Sequence, residues 1–103
     1  MKFIKRLLGL GSGINYEEIK EDNNYVVIDV RTPQEFKSGH FKGSKNIPLN
    51  KISGTSAISK DKTIITCCAS GMRSGQAASI LRNKGYQRVH NGGSWQSVRA
   101  NLN

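Results

Sequence analysis

Residues 63–85 read Thr63-Ile64-Ile65-Thr66-Cys67-Cys68-Ala69-Ser70-Gly71-Met72-Arg73-Ser74-Gly75-Gln76-Ala77-Ala78-Ser79-Ile80-Leu81-Arg82-Asn83-Lys84-Gly85. The run Thr63 to Cys67 is rich in β-branched residues and does not alternate with charge. That suits a strand buried on both faces of a parallel sheet. From Ser74 to Lys84 the period changes. Ala77, Ile80 and Leu81 recur at helical spacing, and Gly85 stands just past the end, so the spacing predicts a helix over 74–84. A buried strand, a tight loop and a helix in succession are half of a βαβ unit, and the rest of the chain supplies more.

Tyr25-Val26-Val27-Ile28-Asp29-Val30 is a second buried run of the same kind. Ahead of it, Tyr16 to Glu21 reads as a short helix with Asn15 at its N-cap and acids in its first turn. After it, Thr32-Pro33-Gln34-Glu35 carries a cap residue, a proline at the first turn and a glutamate three residues after the cap, which predicts a short helix ended by Gly39. Ser44 to Ile47 reads as a short strand closed by Pro48, and Leu49 to Ile52 as one helical turn. Gln87 to His90 reads as a further strand, Asn91-Gly92-Gly93 as a turn, and Ser94 as the cap of a last helix bearing Trp95, Val98 and Leu102. The fold class that follows is α/β, a parallel β-sheet flanked by helices.

The chain has 103 residues, 36% of them hydrophobic, enough for one small core and too few for two. No apolar run approaches the roughly 20 residues of a membrane-spanning helix, so stable membrane insertion is not expected. Residues 1–13 are expected to form a basic, loosely ordered tail hinged at Gly11-Ser12-Gly13, and residues 14–103 the folded domain. The tail lacks the continuous apolar region and small-residue cleavage site of a secretory signal, and a cytoplasmic location is expected.

The net charge is +9. Eleven of the basic residues but one acid, Asp61, fall in residues 36–103. Such a surface attracts anions and acidic partners. The basic residues are scattered singly with no interleaved aromatic platform, so nucleic-acid binding is not expected. Two adjacent cysteines cannot make a disulfide framework. His40 and His90 lie far from them without ligand spacing, so no metal site is expected.

The chemistry gathers where the strand meets the helix. A cysteine leaving a strand faces the N-terminus of the next helix across Ala69, Ser70, Gly71, Met72 and Arg73. Small residues there let backbone N–H groups turn inward as an anion-binding nest, and the helix dipole adds positive potential. That combination favours a thiolate. Strand alternation points Cys67 the opposite way, so Cys67 reads as packing and Cys68 as the functional thiol. Arg73 adds a permanent charge, suited either to organising loop carbonyls or to orienting an anionic donor. Asp29 and Arg31 could brace the loop from the neighbouring strand end, or Arg31 could pair with Glu35. The structural role is favoured for both. His40 reads as a turn residue, Met72 as lining the mouth of the site and Trp95 as a core or lid contact.

Three segments carry a resemblance. They are Val27 to Phe36 with Gly39 to Leu49, then Cys68 to Ser74, then Asn91-Gly92-Gly93-Ser94-Trp95. In this order and spacing, residues 14–102 resemble a single-domain rhodanese. The resemblance implies a parallel sheet flanked by helices and sulfur transfer through a persulfide on Cys68, with residues 69–73 as the active-site loop. It implies no cofactor, a small anionic donor such as thiosulfate, and a thiol or protein acceptor of sulfur. The stretch Ser53 to Asp61 is the part least like the family. Two other readings share these residues. One is a phosphatase-like or arsenate-reducing enzyme, although Cys68 and Arg73 enclose four residues where the related phosphatase loops have five. The other is a non-catalytic binding or sensing module on the same scaffold.

Overall fold

The computed structural model describes residues 13–103. The expected tail therefore lies, apart from Gly13, outside the described residues. Among the described residues nine elements follow one another: α1 (Tyr16–Asp22), β1 (Tyr25–Asp29), α2 (Pro33–Ser38), β2 (Lys45–Asn46), α3 (Leu49–Ile52), β3 (Thr63–Cys68), α4 (Met72–Asn83), β4 (Val89–Ser94) and α5 (Trp95–Leu102). The four strands form one sheet in the order β2-β1-β3-β4. Every pairing is parallel, which requires each connection to cross over the sheet. The expected α/β class is the class observed.

Alternation along β1 and β3 divides the core in two. On one face Ile28, Val30, Ile64 and Cys68 pack with Ile52 of α3 and with Ala77, Ala78 and Leu81 of α4. On the other, Val27, Ile65 and Cys67 pack with Ile19 of α1 and with Val98 and Leu102 of α5. Both β1 and β3 lack a solvated face over their buried part, which is why their sequences read as continuous apolar runs.

The helix ends follow from local chemistry. The Asn15 side chain accepts from the Glu18 N–H and caps α1. Thr32 and Glu35 form a reciprocal capping box at α2, with Pro33 in its first turn and Gly39 at its end. The Ser94 hydroxyl accepts from the Ser97 N–H and caps α5.

Three differences from the expected boundaries exceed a single residue and bear on the site. Helix α4 begins at Met72, two residues early, because Gly71 adopts a left-handed φ of 105° and serves as its N-cap. Strand β2 is confined to two residues. The largest difference is at β4, which runs through Asn91-Gly92-Gly93 where a turn was expected. Gly92 is buried, and a Cβ there would stand 2.5 Å from Val98 Cγ2 and 2.8 Å from Ile65 Cγ2. Glycine at this position marks close packing of backbone on side chains, not a chain reversal. The register against β3 shifts between the Thr66–Asn91 and Cys68–Ser94 pairs. Such a bulge bends a strand where side chains must be re-aimed.

Candidate active site

Cys68 is the last residue of β3, and its side chain is 1% exposed. The chain then turns through Ala69, Ser70 and Gly71 into α4. Positive φ at Gly71 swings its N–H back toward the strand end, and that N–H lies 2.9 Å from Cys68 Sγ. The Ser74 N–H is 3.4 Å away and the Ser74 hydroxyl also 3.4 Å. Burial pushes the Cys68 thiol up. The Ser74 hydroxyl and the N–H groups of Ser74, Gly71 and Ser70 outweigh it, so the thiol falls below its ordinary 9.0. The twelve-residue α4 adds its positive N-terminal end at the same point. The arrangement favours a negatively charged sulfur.

Cys67 has the opposite environment. Its side chain lies in the other half of the core, with Ile65 and Val98. Burial foremost, with the Asp29 carboxylate beside it, raises its thiol to about 12. Adjacent in sequence, the two thiols face different sides of the sheet and are shifted in opposite directions from their ordinary value.

Ser74 and Asn91 were not anticipated. The Ser74 Oγ lies 2.6 Å from Asn91 Oδ1. The Asn91 amide donates to Gly71 O at 3.0 Å, and its oxygen also accepts from the Gly93 N–H. Asn91 thereby ties the loop to β4 and fixes the hydroxyl that faces the sulfur. The signal for Ser74 was its place in the first turn after the cysteine loop. Asn91 stands in the third segment that carries the resemblance, but nothing local ties it to the sulfur, because it comes from a different strand.

The other predicted residues are placed as follows. Ala69 and Ser70 are exposed on the rim of the loop. Met72 projects into solvent at 80% exposure, so the side chain expected at the mouth stands outside it. Arg73 makes no hydrogen bond to a loop carbonyl among the described residues. Its guanidinium is bidentate to Glu35 of α2, at 2.7 and 3.0 Å. Those hydrogen bonds, with the Thr32 N–H behind them, hold Glu35 down at about 2. Arg31 pairs with Asp29 rather than with Glu35. Its Nε and Nη2 meet both carboxylate oxygens, between 2.7 and 3.1 Å, and Nη2 continues to Gly39 O. Both residues are buried. The pair fixes the turn from β1 into α2, a structural role. Trp95 is half-buried between Arg31 and Arg99, whose guanidinium carbons lie 5.2 and 4.9 Å from its ring centroid. His40 stacks on Phe36, and its Nδ1 donates to Phe36 O at 2.7 Å, so it belongs to the end of α2.

Comparison with known proteins places this geometry in context. The family model of the rhodanese-like domain matches residues 15–100. The uncharacterized protein YqhL of Bacillus subtilis is 41% identical over 66 residues, 63% of this chain and 52% of that protein. The thiosulfate sulfurtransferase PspE of Escherichia coli is 36% identical over 74 residues, 69% of this chain and 71% of that protein. The chain thus spans about half the length of the first and less than three quarters of the second. The solved structure of a rhodanese with anions from E. coli superposes with a TM-score of 0.65 at 36% identity, covering 71% of this chain and 89% of that one.

Proposed function

This chain belongs to the rhodanese-like domain family, and from that membership and the surroundings of Cys68 we propose that it is a sulfurtransferase that carries a sulfane sulfur as a Cys68 persulfide. Residues 14–103 are the unit that does so. The observation that carries the reading is a buried cysteine whose sulfur faces a hydroxyl and inward-turned amides at a helix N-terminus.

Transfer runs in two nucleophilic steps. The Cys68 thiolate attacks the outer sulfur of thiosulfate or of another persulfide donor. The donor S–S bond breaks, sulfite or a thiolate leaves with the bonding pair, and Cys68 becomes a persulfide. The amides of Ser70, Gly71 and Ser74 then stabilise the negative sulfur. An acceptor thiol, on a small molecule or a protein, attacks that terminal sulfur and regenerates the Cys68 thiolate. The compartment in which the reaction runs is proposed to be the cytoplasm, and no described helix is long and apolar enough to cross a membrane.

The test is intact mass after incubation with thiosulfate, followed by peptide mapping. Gain of one sulfur on Cys68, lost on adding cyanide or a reductant, is the expected result. Failure to gain sulfur from thiosulfate and from a thiol persulfide would make the loop a binding element without turnover.

A further inference from the structure

Two arginines stand at the Cys68 end of the sheet, and both are neutralised. Among the described residues there are two ion pairs, Arg31 with Asp29 and Arg73 with Glu35. The first is buried and locked by its further bond to Gly39 O. The second matters for a substrate. Arg73 is the one charged residue of the loop 69–73, and its charged form is favoured first by its hydrogen bonds to Glu35 and to a smaller degree by Cys68 nearby. Its guanidinium is held at both nitrogens by Glu35, which contributes from α2, 38 positions earlier in the chain. What remains to receive a donor is a set of amides, one hydroxyl and an uncharged rim of Ala69, Ser70 and Met72.

We propose that Glu35 is a specificity-determining residue, acting through Arg73: by neutralising the only charge on the loop, it makes the site prefer sulfur donors with a single negative charge over the thiosulfate dianion. The proposal rests on the Cys68 sulfurtransfer reading. Amides at a helix N-terminus hold the one negative charge on the outer sulfur of any donor. The second charge of thiosulfate sits on its sulfonate end and needs a cation of its own, and the Arg73 fork, well suited to such an oxyanion, is already engaged. A thiol persulfide or an organic thiosulfonate has no such requirement. The chemistry is otherwise the same. From thiosulfate, the Cys68 thiolate takes the outer sulfur and sulfite leaves as a dianion with the bonding pair. From a thiosulfonate, the same bond breaks and a sulfinate monoanion leaves. No proton or external oxidant enters either step.

The test compares thiosulfate with methanethiosulfonate, which presents the same outer sulfur with one charge fewer. Three proteins are assayed for KM and kcat: the unaltered chain, Glu35→Gln and Glu35→Asp. Glutamine keeps the acceptor oxygen that the capping box needs but removes the charge. Aspartate disturbs the cap but keeps the charge. The expected result is that Glu35→Gln lowers KM for thiosulfate by about tenfold, the size of one charge-assisted contact. Its kcat, and its KM for methanethiosulfonate, stay within about twofold, since a contact made equally before and in the transition state moves KM alone. In Glu35→Asp the ratio of the two donors' kcat/KM remains that of the unaltered chain. An unchanged ratio in Glu35→Gln, or the same change in Glu35→Asp, overturns the proposal while leaving the Cys68 persulfide intact. Failure of both donors to load Cys68 in all three proteins overturns the sulfurtransfer reading, and this proposal with it.

Discussion

The Ser74 hydroxyl lies 3.4 Å from the Cys68 sulfur and 2.6 Å from Asn91 Oδ1. It has one proton and two acceptors to offer it to. When Cys68 is a thiol, its S–H donates to Ser74 and Ser74 donates to Asn91. When Cys68 is a thiolate, the Ser74 proton turns to the sulfur, and Asn91 Oδ1 keeps the Gly93 N–H. Ser74→Ala removes that donor and leaves the amides. The Cys68 thiol then titrates at higher pH. Alkylation by iodoacetamide followed across pH will show an inflection moved upward and a rate at mildly acid pH reduced several-fold.

The two cysteines separate function from packing. Cys68→Ser abolishes the gain of sulfur, because an alcohol neither ionises here nor forms a persulfide. Cys67→Ser retains most sulfur transfer, although burying a hydroxyl among Ile65 and Val98 costs about 1–3 kcal/mol of stability. Intact mass and urea unfolding of both variants check the pair of outcomes.

Asp29 and Glu35 each hold an arginine, with unequal consequences. Asp29→Asn leaves the buried Arg31 cation without its counter-charge and is expected to cost about 3–5 kcal/mol. Glu35→Gln breaks a pair at the surface and costs under about 1 kcal/mol. Chemical denaturation of the two proteins side by side measures the difference.

The Arg73–Glu35 pair also has a pH signature. Hydrogen bonds from Arg73, then from Thr32, lower Glu35 from 4.5 to about 2. A carboxylate favoured in the folded state contributes its full stabilisation above about pH 4.5 and loses it as pH falls through 2. Carboxyl NMR will place the Glu35 midpoint below 4.5, and Arg73→Met will move it upward toward the ordinary range.

Local chemistry was legible in the sequence. The capping box of Thr32 and Glu35, the caps Asn15 and Ser94, and the opposed directions of Cys67 and Cys68 depend on residues at most four positions apart. The buried strands declared themselves by apolar runs. Partnerships across elements did not. Glu35 read as a cap residue, which it is, and its second role toward Arg73 exists only because α2 and α4 begin after the neighbouring parallel strands β1 and β3. Arg31 had two acids within reach by spacing, and the fold chose the buried one. Asn91-Gly92-Gly93 has turn composition. It is strand because Val98 and Ile65 close on Gly92, a contact that no window of sequence contains. Gly92→Ala is accordingly expected to cost about 1–3 kcal/mol or more by overpacking, read from its urea midpoint.

Strand β3 has a hydrogen-bonded neighbour on each side, β1 and β4, and helices over both faces. The cysteine at its end therefore sits on the segment least able to open by itself. Amides of Ile64 to Cys67 should exchange with solvent only through global unfolding. A denaturant titration followed by sulfur loading of Cys68 and one followed by circular dichroism should then trace a single curve. Cys68 keeps its activated, loop-held thiol until the domain unfolds, and loses it only then.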